Sequence, residues 1–450
     1  MNRKITGILF LLVNLLIQLT FAEFKWEEAV PESEGMSSEK LETMKNILAE
    51  KGTKSFLVIR NDKIVYEWYA PGYGPQKRHY TASLAKAIVG GTSLMLALND
   101  GLISVDDYAC NYIPQWKNHP LKSKITIRHL ATHSSGIENA EQNGIPHMEI
   151  PGWKGDFWRK DPDPFTIARD KAPVIFEPGS RYDYSNPGMA MLAYAVTASL
   201  KNAPQKDILT LLKERIMKPI GVSNEEWSIG YGRGYEVDGL TLYANWGGAS
   251  FTARAVARIG RLMLYKGNWD GKQLVKPEWV NECIKYAGTP TPDRKTDDHS
   301  PGSALCWWIN FDGVWQKVPR DAFAGAGAGH QILLVVPSLN LIMVRMGDQM
   351  GDAKWGSSFW EYVESYLFEP LMEAITDIEP VYYDGALIKG AVLAPQSSIT
   401  VKAEGSDNWP ITWADDDNLY TAYGDGWGFE PKVEKKLSLG FAKIIGDPSN

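Results

Sequence analysis

Ser83 and Lys86 stand three positions apart in the string TASLAK, which covers residues 81–86. A serine hydroxyl is a weak nucleophile unless a nearby base takes its proton. On a helix, positions i and i+3 share one face, so the lysine amine would reach the hydroxyl, and burial would lower the pKa of that amine. Free backbone N–H groups at the helix start would stabilise an oxyanion. The pair therefore predicts nucleophilic catalysis by Ser83 with Lys86 as its base.

The S-x-x-K spacing alone is weak evidence, because roughly one or two matches are expected by chance in a chain this long. A second match, Ser37 and Lys40, is interpreted as a helix cap followed by a solvated lysine. Ser83 differs because apolar residues surround nearly the whole circumference of the helix that it begins. That pattern predicts a buried helix rather than a surface one.

Tyr184 and Asn186 form the second candidate pair, in the string FEPGSRYDYSNPG at residues 176–188. The Pro-Gly pairs on both sides predict a loop that leads into a helix. A phenol beside an ammonium can pass protons, and an amide can bind a substrate carbonyl. The same spacing recurs at Tyr243 and Asn245, so spacing alone leaves both pairs open.

The third candidate is a run of small residues, AGAGAG at 324–329, which precedes His330 and a predicted strand. A strand edge without large side chains lets its backbone approach a ligand closely. The N–H groups of this edge would complete an oxyanion hole. A phosphate-binding loop needs a helix after its glycines, and a strand follows here, so the sequence argues against phosphate binding.

The elements that would position these residues lie within residues 24–375. Strand patterns are present at 55–60, 63–70, 331–336 and 339–346. Helical patterns are present at 38–49, 83–99, 187–200, 207–216, 252–266 and 359–374. Because strands lie at both ends of the region and helices lie between them, we predict an α+β domain. Its antiparallel sheet would be flanked by helices and would carry a mostly helical insertion.

From about residue 377 the pattern changes, because strand-like alternation continues without any helical period. The strand patterns cover residues 398–403, 418–423 and 437–445, with Gly, Asp and Pro between them. Residues 377–450 are therefore predicted to form a separate β-rich accessory segment.

Composition excludes several classes of protein. The chain has 450 residues, is 44% hydrophobic and 22% charged, and carries a formal net charge of −7. These values are typical of a globular protein and exclude a largely disordered, collagen-like or multi-span membrane protein. The acidic balance argues against a nucleic-acid partner. The three cysteines, Cys110, Cys283 and Cys306, lie far apart. Their spacing predicts neither a disulfide framework nor a thiolate metal site.

Residues 1–22 have the pattern of a secretory signal peptide. Arg3 and Lys4 precede a short apolar run that ends near Ala22, and the run is shorter than a membrane span. We therefore expect export, with cleavage near Ala22 and a periplasmic or extracellular location.

Taken in order, the three motifs resemble those of the serine β-lactamase, DD-peptidase and esterase superfamily, in particular its class C β-lactamase-related branch. Further family-like strings are IRHLATHSSGI at 127–137, FEPGSRYDYSNP at 176–187, and GGA with TAR at 247–254. The resemblance spans about residues 30–370 and favours Tyr184 over Tyr243. It implies the β-lactamase/transpeptidase-like fold.

The resemblance also implies a role for each matching residue. Ser83 would attack a carbonyl and form an acyl-enzyme, and Lys86 and Tyr184 would share the general-base and proton-return steps. Asn186 would orient the substrate, and the N–H groups of Ser83 and Ala328 would hold the oxyanion. Neither a metal nor an organic cofactor is implied.

The third motif departs from the family pattern. Gly325, Ala326 and Gly327 stand where family members that bind a substrate carboxylate usually have Lys-Thr-Gly or His-x-Gly. The missing cation and hydroxyl argue against efficient hydrolysis of β-lactams or D-Ala-D-Ala peptides. The expected function is an exported serine hydrolase for small ester, amide or cell-wall-type peptide substrates. The alternatives are a D-aminopeptidase, DD-peptidase or weak β-lactamase, and a non-catalytic penicillin- or glycan-binding protein.

The C-terminal string SDNWPITWADDD at 406–417 resembles an opening blade of a carbohydrate-associated β-propeller. Propellers need four or more blades, and about 74 residues are too few to form them. The segment is therefore either the start of a truncated propeller or a small accessory module, and a glycan is its expected partner.

Overall fold

The structure is a computed structural model. It describes residues 24–142, 144–351, 357–376, 411–413, 418–427 and 434–444. The predicted signal peptide at 1–22 lies outside these residues. The chain divides into two compact units, Met1–Tyr382 and Tyr383–Asn450.

The first unit is built on an eight-stranded sheet. Its strands in chain order are β1 (Glu27–Glu28), β2 (Thr53–Arg60), β3 (Lys63–Tyr69), β4 (Gly302–Ser303), β5 (Trp308–Ile309), β6 (Phe323–Gly327), β7 (Gln331–Val336) and β8 (Leu341–Gly347). Their spatial order is β1-β3-β2-β8-β7-β6-β5-β4. Neighbouring strands are antiparallel, except that β1 pairs with β3 in parallel.

Helices cover the sheet and form the insertion between β3 and β4. They are α1 (Ser38–Glu50), α2 (Ala82–Asn99), α3 (Ile127–Ala131), α4 (Gly152–Arg159), α5 (Pro164–Asp170), α6 (Asn186–Ser199), α7 (Ile208–Leu212), α8 (Ala253–Leu264), α9 (Pro277–Ile284), α10 (Ser357–Val363) and α11 (Glu369–Glu373). This arrangement confirms the predicted α+β class.

The two faces of the sheet pack into two hydrophobic clusters, which follows from the alternation of side chains along a strand. In β7, Leu333 and Val335 join the cluster that contains α2 and α8, whereas Ile332 and Leu334 join the cluster that contains α1. Because both faces of the central strands are covered, β7 is apolar along most of its length. The same burial explains why polar and apolar residues do not alternate clearly along this strand in the sequence.

The hairpin between β2 and β3 turns at Asn61 and Asp62, two residue types that suit a tight turn. Both residues have positive φ, 49° and 67°. Two left-handed residues in succession match the twist of the flanking strands, which explains why this residue pair joins them.

Helix α2 runs through the core of the first unit. It begins with a tight turn at Ala82–Leu84, widens to π geometry over Lys86–Gly91 and continues as a regular α-helix from Thr92. It is long and apolar enough to cross a membrane by composition, but most of it is buried inside the protein. The burial that its sequence predicts is confirmed.

The second unit contains an antiparallel three-stranded sheet in its described part. The strands are β9 (Ile411–Trp413), β10 (Leu419–Gly426) and β11 (Leu437–Ile444), in that spatial order. The predicted strands near 418–423 and 437–445 are confirmed, and the one at 398–403 lies outside the described residues.

Candidate active site

Ser83 lies in the first turn of α2, where a strained residue precedes it. Ala82 has φ of 46°, in the left-handed region that residues with a Cβ rarely adopt. Such strain persists only where the surrounding structure holds it, and it is common at functional sites. Ser83 itself is half-buried, so its hydroxyl lies between the core and the surface.

Lys86 lies one turn further along the same helix, as predicted. Its Nζ lies 3.0 Å from Ser83 Oγ. Nζ also donates to Asn186 Oδ1 at 2.7 Å and to the Trp246 carbonyl at 2.8 Å. Lys86 is only 4% exposed, so three contacts hold a desolvated amine against the hydroxyl.

Burial makes Lys86 a suitable base. It lowers the pKa of the Lys86 amine to about 7, although the carboxylate of Glu141 opposes the shift. An ammonium is costly in a desolvated site, so the neutral form becomes accessible near neutral pH. A neutral amine 3.0 Å from Ser83 Oγ can take the proton of that hydroxyl.

Tyr184 reaches the same hydroxyl from the loop before α6. Its OH donates to Ser83 Oγ at 2.8 Å, and Lys86 Nζ lies 4.7 Å from its ring centroid. Burial raises the pKa of Tyr184 well above its ordinary value. The phenol therefore stays protonated at neutral pH and can serve as a proton donor to a group that leaves from this position.

His133 holds the Tyr184 loop, and sequence reasoning did not assign it to the site. Its ring packs on the Tyr184 ring with centroids 4.5 Å apart. Its Nδ1 accepts from Ser185 N at 3.3 Å, and its carbonyl accepts from Asp183 N at 2.8 Å. Burial lowers the pKa of His133 to about 3, so it acts as a neutral support for the loop.

Asn186 is the first residue of α6, which the Ser185 side chain caps by accepting from Gly188 N at 2.9 Å. The amide is buried and fully bonded: Nδ2 donates to Asn139 Oδ1 at 3.2 Å and to Glu141 Oε1 at 3.1 Å. Together with its contact to Lys86, these bonds make positioning of the amine the role that its contacts support. Substrate orientation by Asn186 stays a prediction.

Asn139 and Glu141 are further site residues that sequence reasoning missed. They follow the string SSGI at 134–137, and no residue-type pattern marks them. Their contact with Asn186 arises only when the loop after α3 folds against the start of α6.

The competing motifs make different contacts. A Cβ built at Gly230 would lie 2.9 Å from Tyr243 Cδ1, and one at Gly90 would lie 3.1 Å from Asn245 Nδ2, so this pair packs into neighbouring structure. Ser37 Oγ accepts from Lys40 N at 3.3 Å, which is the predicted helix cap. Of the two tyrosines that spacing left open, Tyr184 is the one that donates to Ser83 Oγ, and its catalytic role stays a prediction.

The glycine-rich strand β6 packs directly against the start of α2. A Cβ built at Gly327 would lie 2.3 Å from the Thr81 carbonyl and 2.8 Å from Ser83 N. Ala326 is buried in the cluster on the opposite face of the sheet, and Gly325 faces Leu84 in the core. The two glycines thus permit close approach of strand and helix, and contact of these three residues with substrate stays a prediction.

Ala328 follows Gly327 and is exposed at the end of β6. Gln331 and Arg345 hold the turn that comes next, because Gln331 Nε2 donates to the Ala328 carbonyl at 3.2 Å and to the Gly347 carbonyl at 2.6 Å. Arg345 donates to the His330 carbonyl at 3.0 Å. These buried side chains stabilise the strand edge that would bind an oxyanion.

Gly327→Ala is expected to lower kcat/KM by about 100-fold or more, because the new methyl group pushes β6 away from Ser83 and displacements near 1 Å have effects of this size. Gly74→Ala is the matched control, since no atom lies within 4 Å of a Cβ built there. Steady-state kinetics of both variants test the prediction. Wild-type activity in Gly327→Ala would contradict the close approach.

Metal ligands do not cluster in the described ranges of the chain, where no group of three or more His, Cys, Asp or Glu side chains could hold an ion. The three cysteines are free thiols.

The chain is similar to several known hydrolases. A 6-aminohexanoate-dimer hydrolase from Paenarthrobacter ureafaciens is 24% identical over 317 residues, which cover 68% of this chain and 75% of the relative. The D-alanyl-D-alanine-carboxypeptidase/endopeptidase AmpH of Escherichia coli K12 is 28% identical over 151 residues, which cover 33% of this chain and 36% of that protein.

A solved family VIII carboxylesterase shares the fold. Its TM-score is 0.55 at 16% identity, and the match covers 75% of this chain and 99% of the esterase. The family model described as Beta-lactamase matches residues 45–364, which include Ser83, Lys86, Tyr184 and the glycine-rich strand. The resemblance drawn from the motifs is thereby confirmed, and the chain belongs to the beta-lactamase family.

Proposed function

We propose that the protein hydrolyses an ester or amide through an acyl-enzyme on Ser83. Serine hydrolase activity is what the family and its hydrolase relatives support. The observation that carries the proposal is the position of Ser83 Oγ, 3.0 Å from Lys86 Nζ and 2.8 Å from the Tyr184 hydroxyl. A nucleophile with both a base and a proton donor in contact can run both halves of an acyl transfer.

In the first half, the neutral Lys86 amine takes the hydroxyl proton while Ser83 Oγ bonds to the substrate carbonyl carbon. The carbonyl oxygen becomes an oxyanion, for which the N–H groups of Ser83 and Ala328 are the proposed donors. The bond to the leaving group then breaks, and that group receives a proton from the Tyr184 phenol, which Lys86 reprotonates.

In the second half, water replaces the leaving group. The neutral base takes a proton from the water, whose oxygen attacks the acyl carbon. The bond to Ser83 Oγ breaks, the proton returns to that oxygen, and the carboxylic acid product leaves. Each half of the reaction begins and ends with the same protonation states of the three side chains, so the enzyme turns over with water as the only co-reactant.

The substrate class follows from the third motif. Gly325, Ala326 and Gly327 provide no cation or hydroxyl for a substrate carboxylate, which favours esters and amides over β-lactams and D-Ala-D-Ala peptides. The name of the Paenarthrobacter relative, a 6-aminohexanoate-dimer hydrolase, supports amide cleavage. The AmpH relative supports the DD-peptidase alternative, although the match covers only 36% of that protein.

A substrate panel tests the proposal. Purified protein is assayed with p-nitrophenyl esters, a chromogenic cephalosporin and a D-Ala-D-Ala peptide, and we expect the best ester to be hydrolysed fastest. Equal turnover of the cephalosporin would show that the third motif does not exclude β-lactams. Correctly folded protein that turns over no substrate and binds no fluorophosphonate probe would support the non-catalytic binding protein instead.

We also propose that the protein is exported and that residues 377–450 bind a glycan. The charged and apolar pattern of residues 1–22 supports cleavage near Ala22 and export to the periplasm or beyond. The N-terminal sequence of the protein recovered outside the cytoplasm tests this. A glycan array probed with the full chain tests whether residues 377–450 bind carbohydrate.

A further inference from the structure

We propose that the site prefers substrates that carry a protonated amine, and that the carboxylate of Glu141 binds this amine. The inference rests on the proposed function, because it assigns a specificity-determining residue to the same site. Its basis is the position of Glu141, its exposure and the charges around it.

Glu141 lies next to the catalytic group without being buried in it. Its Oε1 accepts from Asn186 Nδ2 at 3.1 Å, and Asn186 Oδ1 accepts from Lys86 Nζ at 2.7 Å, which in turn lies 3.0 Å from Ser83 Oγ. The carboxylate is thus three hydrogen bonds away from the nucleophile. The Glu141 side chain is 40% exposed, whereas Asn186 is 1% exposed. The carboxylate is therefore accessible from solvent, next to the residues that hold the nucleophile.

Among the described residues, Glu141 makes no direct ion pair with a side chain that stays charged at pH 7, although its charge acts on Lys86 across Asn186. His147 Nε2 is its ion-pair partner at 4.0 Å, but burial lowers the pKa of His147, so the imidazole is neutral at pH 7. Lys154 pairs with Glu138 at 2.6 Å and reaches only the backbone carbonyl of Glu141. A ligand cation would supply the charge that the protein does not.

The glycine-rich strand edge contributes no competing charge. Residues 325–328 are glycine and alanine, where related proteins that bind carboxylates have a cation. The ammonium of Lys160 packs on the Tyr231 ring, with Nζ 4.1 Å from the ring centroid. The glycine-rich edge therefore offers no cation that would repel a substrate amine.

The experiment compares substrates that differ only in charge. The p-nitrophenyl esters of 6-aminohexanoic acid, hexanoic acid and adipic acid place a positive, neutral or negative group at the end of similar acyl chains. A matched pair of hexanoyl amides, of hexylamine and of 1,6-diaminohexane, places the charge on the leaving group. We expect kcat/KM for the cationic member of at least one series to exceed that of its neutral partner by roughly 10- to 100-fold at low salt.

Glu141→Gln should remove most of this preference, and Glu138→Gln should retain it because Lys154 already neutralises that carboxylate. The ratio of cationic to neutral substrates is the readout, since Glu141 also raises the pKa of Lys86 and its loss affects all substrates alike. Added salt should weaken the wild-type preference through screening, which tests the proposal even if a variant folds poorly.

The outcomes separate the two proposals. If no ester or amide is hydrolysed in a Ser83-dependent way, the proposed function fails. If neutral substrates are hydrolysed through Ser83 but neither cationic series is preferred, or the preference survives in Glu141→Gln, only the role of Glu141 fails. A preference for the adipoyl ester would also overturn it and would point to Lys160 instead.

Discussion

Ser83→Ala is expected to lower kcat/KM by about 10⁴-fold or more, the size of effect seen when a catalytic nucleophile is removed. The reason is that the hydroxyl forms the covalent bond of the acyl-enzyme, and neither Lys86 nor Tyr184 can replace it. The variant should also lose reaction with a fluorophosphonate probe. Intact-protein mass spectrometry of the wild type during ester turnover should show an added acyl group that is absent from the variant.

The matched control is Ser37→Ala, which changes the serine of the other S-x-x-K match. Ser37 caps α1 by accepting from Lys40 N, so its loss should cost about 1 kcal/mol of unfolding free energy and leave hydrolysis intact. Probe labelling of Ser83→Ala at the wild-type rate would place the nucleophile elsewhere and refute the acyl-enzyme on Ser83.

Lys86→Met is expected to lower kcat/KM by about 10²- to 10⁴-fold, the usual contribution of a positioned general base. Methionine has a similar length and suits the buried position, but it cannot accept a proton. Lys40→Met is the control, since Lys40 Nζ donates to the Glu373 carbonyl and lies on α1. Thermal unfolding of both variants verifies that each one folds.

The pH dependence of the wild type follows from the same group. The pKa of Lys86 is lowered to about 7, and only the neutral amine can act as the base. Activity should therefore be full above this pKa and fall about tenfold for each pH unit below it. The midpoint of the acidic limb of kcat/KM should lie near 7 and should be absent from the residual activity of Lys86→Met. A wild-type profile that is flat from pH 5 to about 9 would rule out Lys86 as the base.

The local motifs are where the sequence is most informative. Ser83 and Lys86 lie on one short stretch of helix, so their spacing already implies contact, and the structure places them 3.0 Å apart. The Asn61-Asp62 turn and the buried character of α2 are also local properties. Each depends on backbone conformation or side-chain periodicity over a few residues, which is the range that a sequence pattern describes.

The choice between repeated motifs needed more than local information. Tyr184 and Tyr243 have the same spacing to an asparagine, and only family resemblance favoured the first. The structure distinguishes them because α6 carries its preceding loop onto the start of α2, whereas Tyr243 packs beside Gly230. The division at residue 377, export and the substrate contacts of residues 325–328 stay predictions.

From the sequence alone come the α+β class, the family and the three side chains with the right chemistry, because those depend on residue type, order and local periodicity. The tertiary structure alone shows what makes the chemistry feasible: the burial that lowers the Lys86 pKa, the His133 support, and the contact of Glu141 with Asn186. These features join residues that are tens of positions apart, and desolvation is set by everything that surrounds a side chain. Neither property can be read from the neighbours of a residue along the chain.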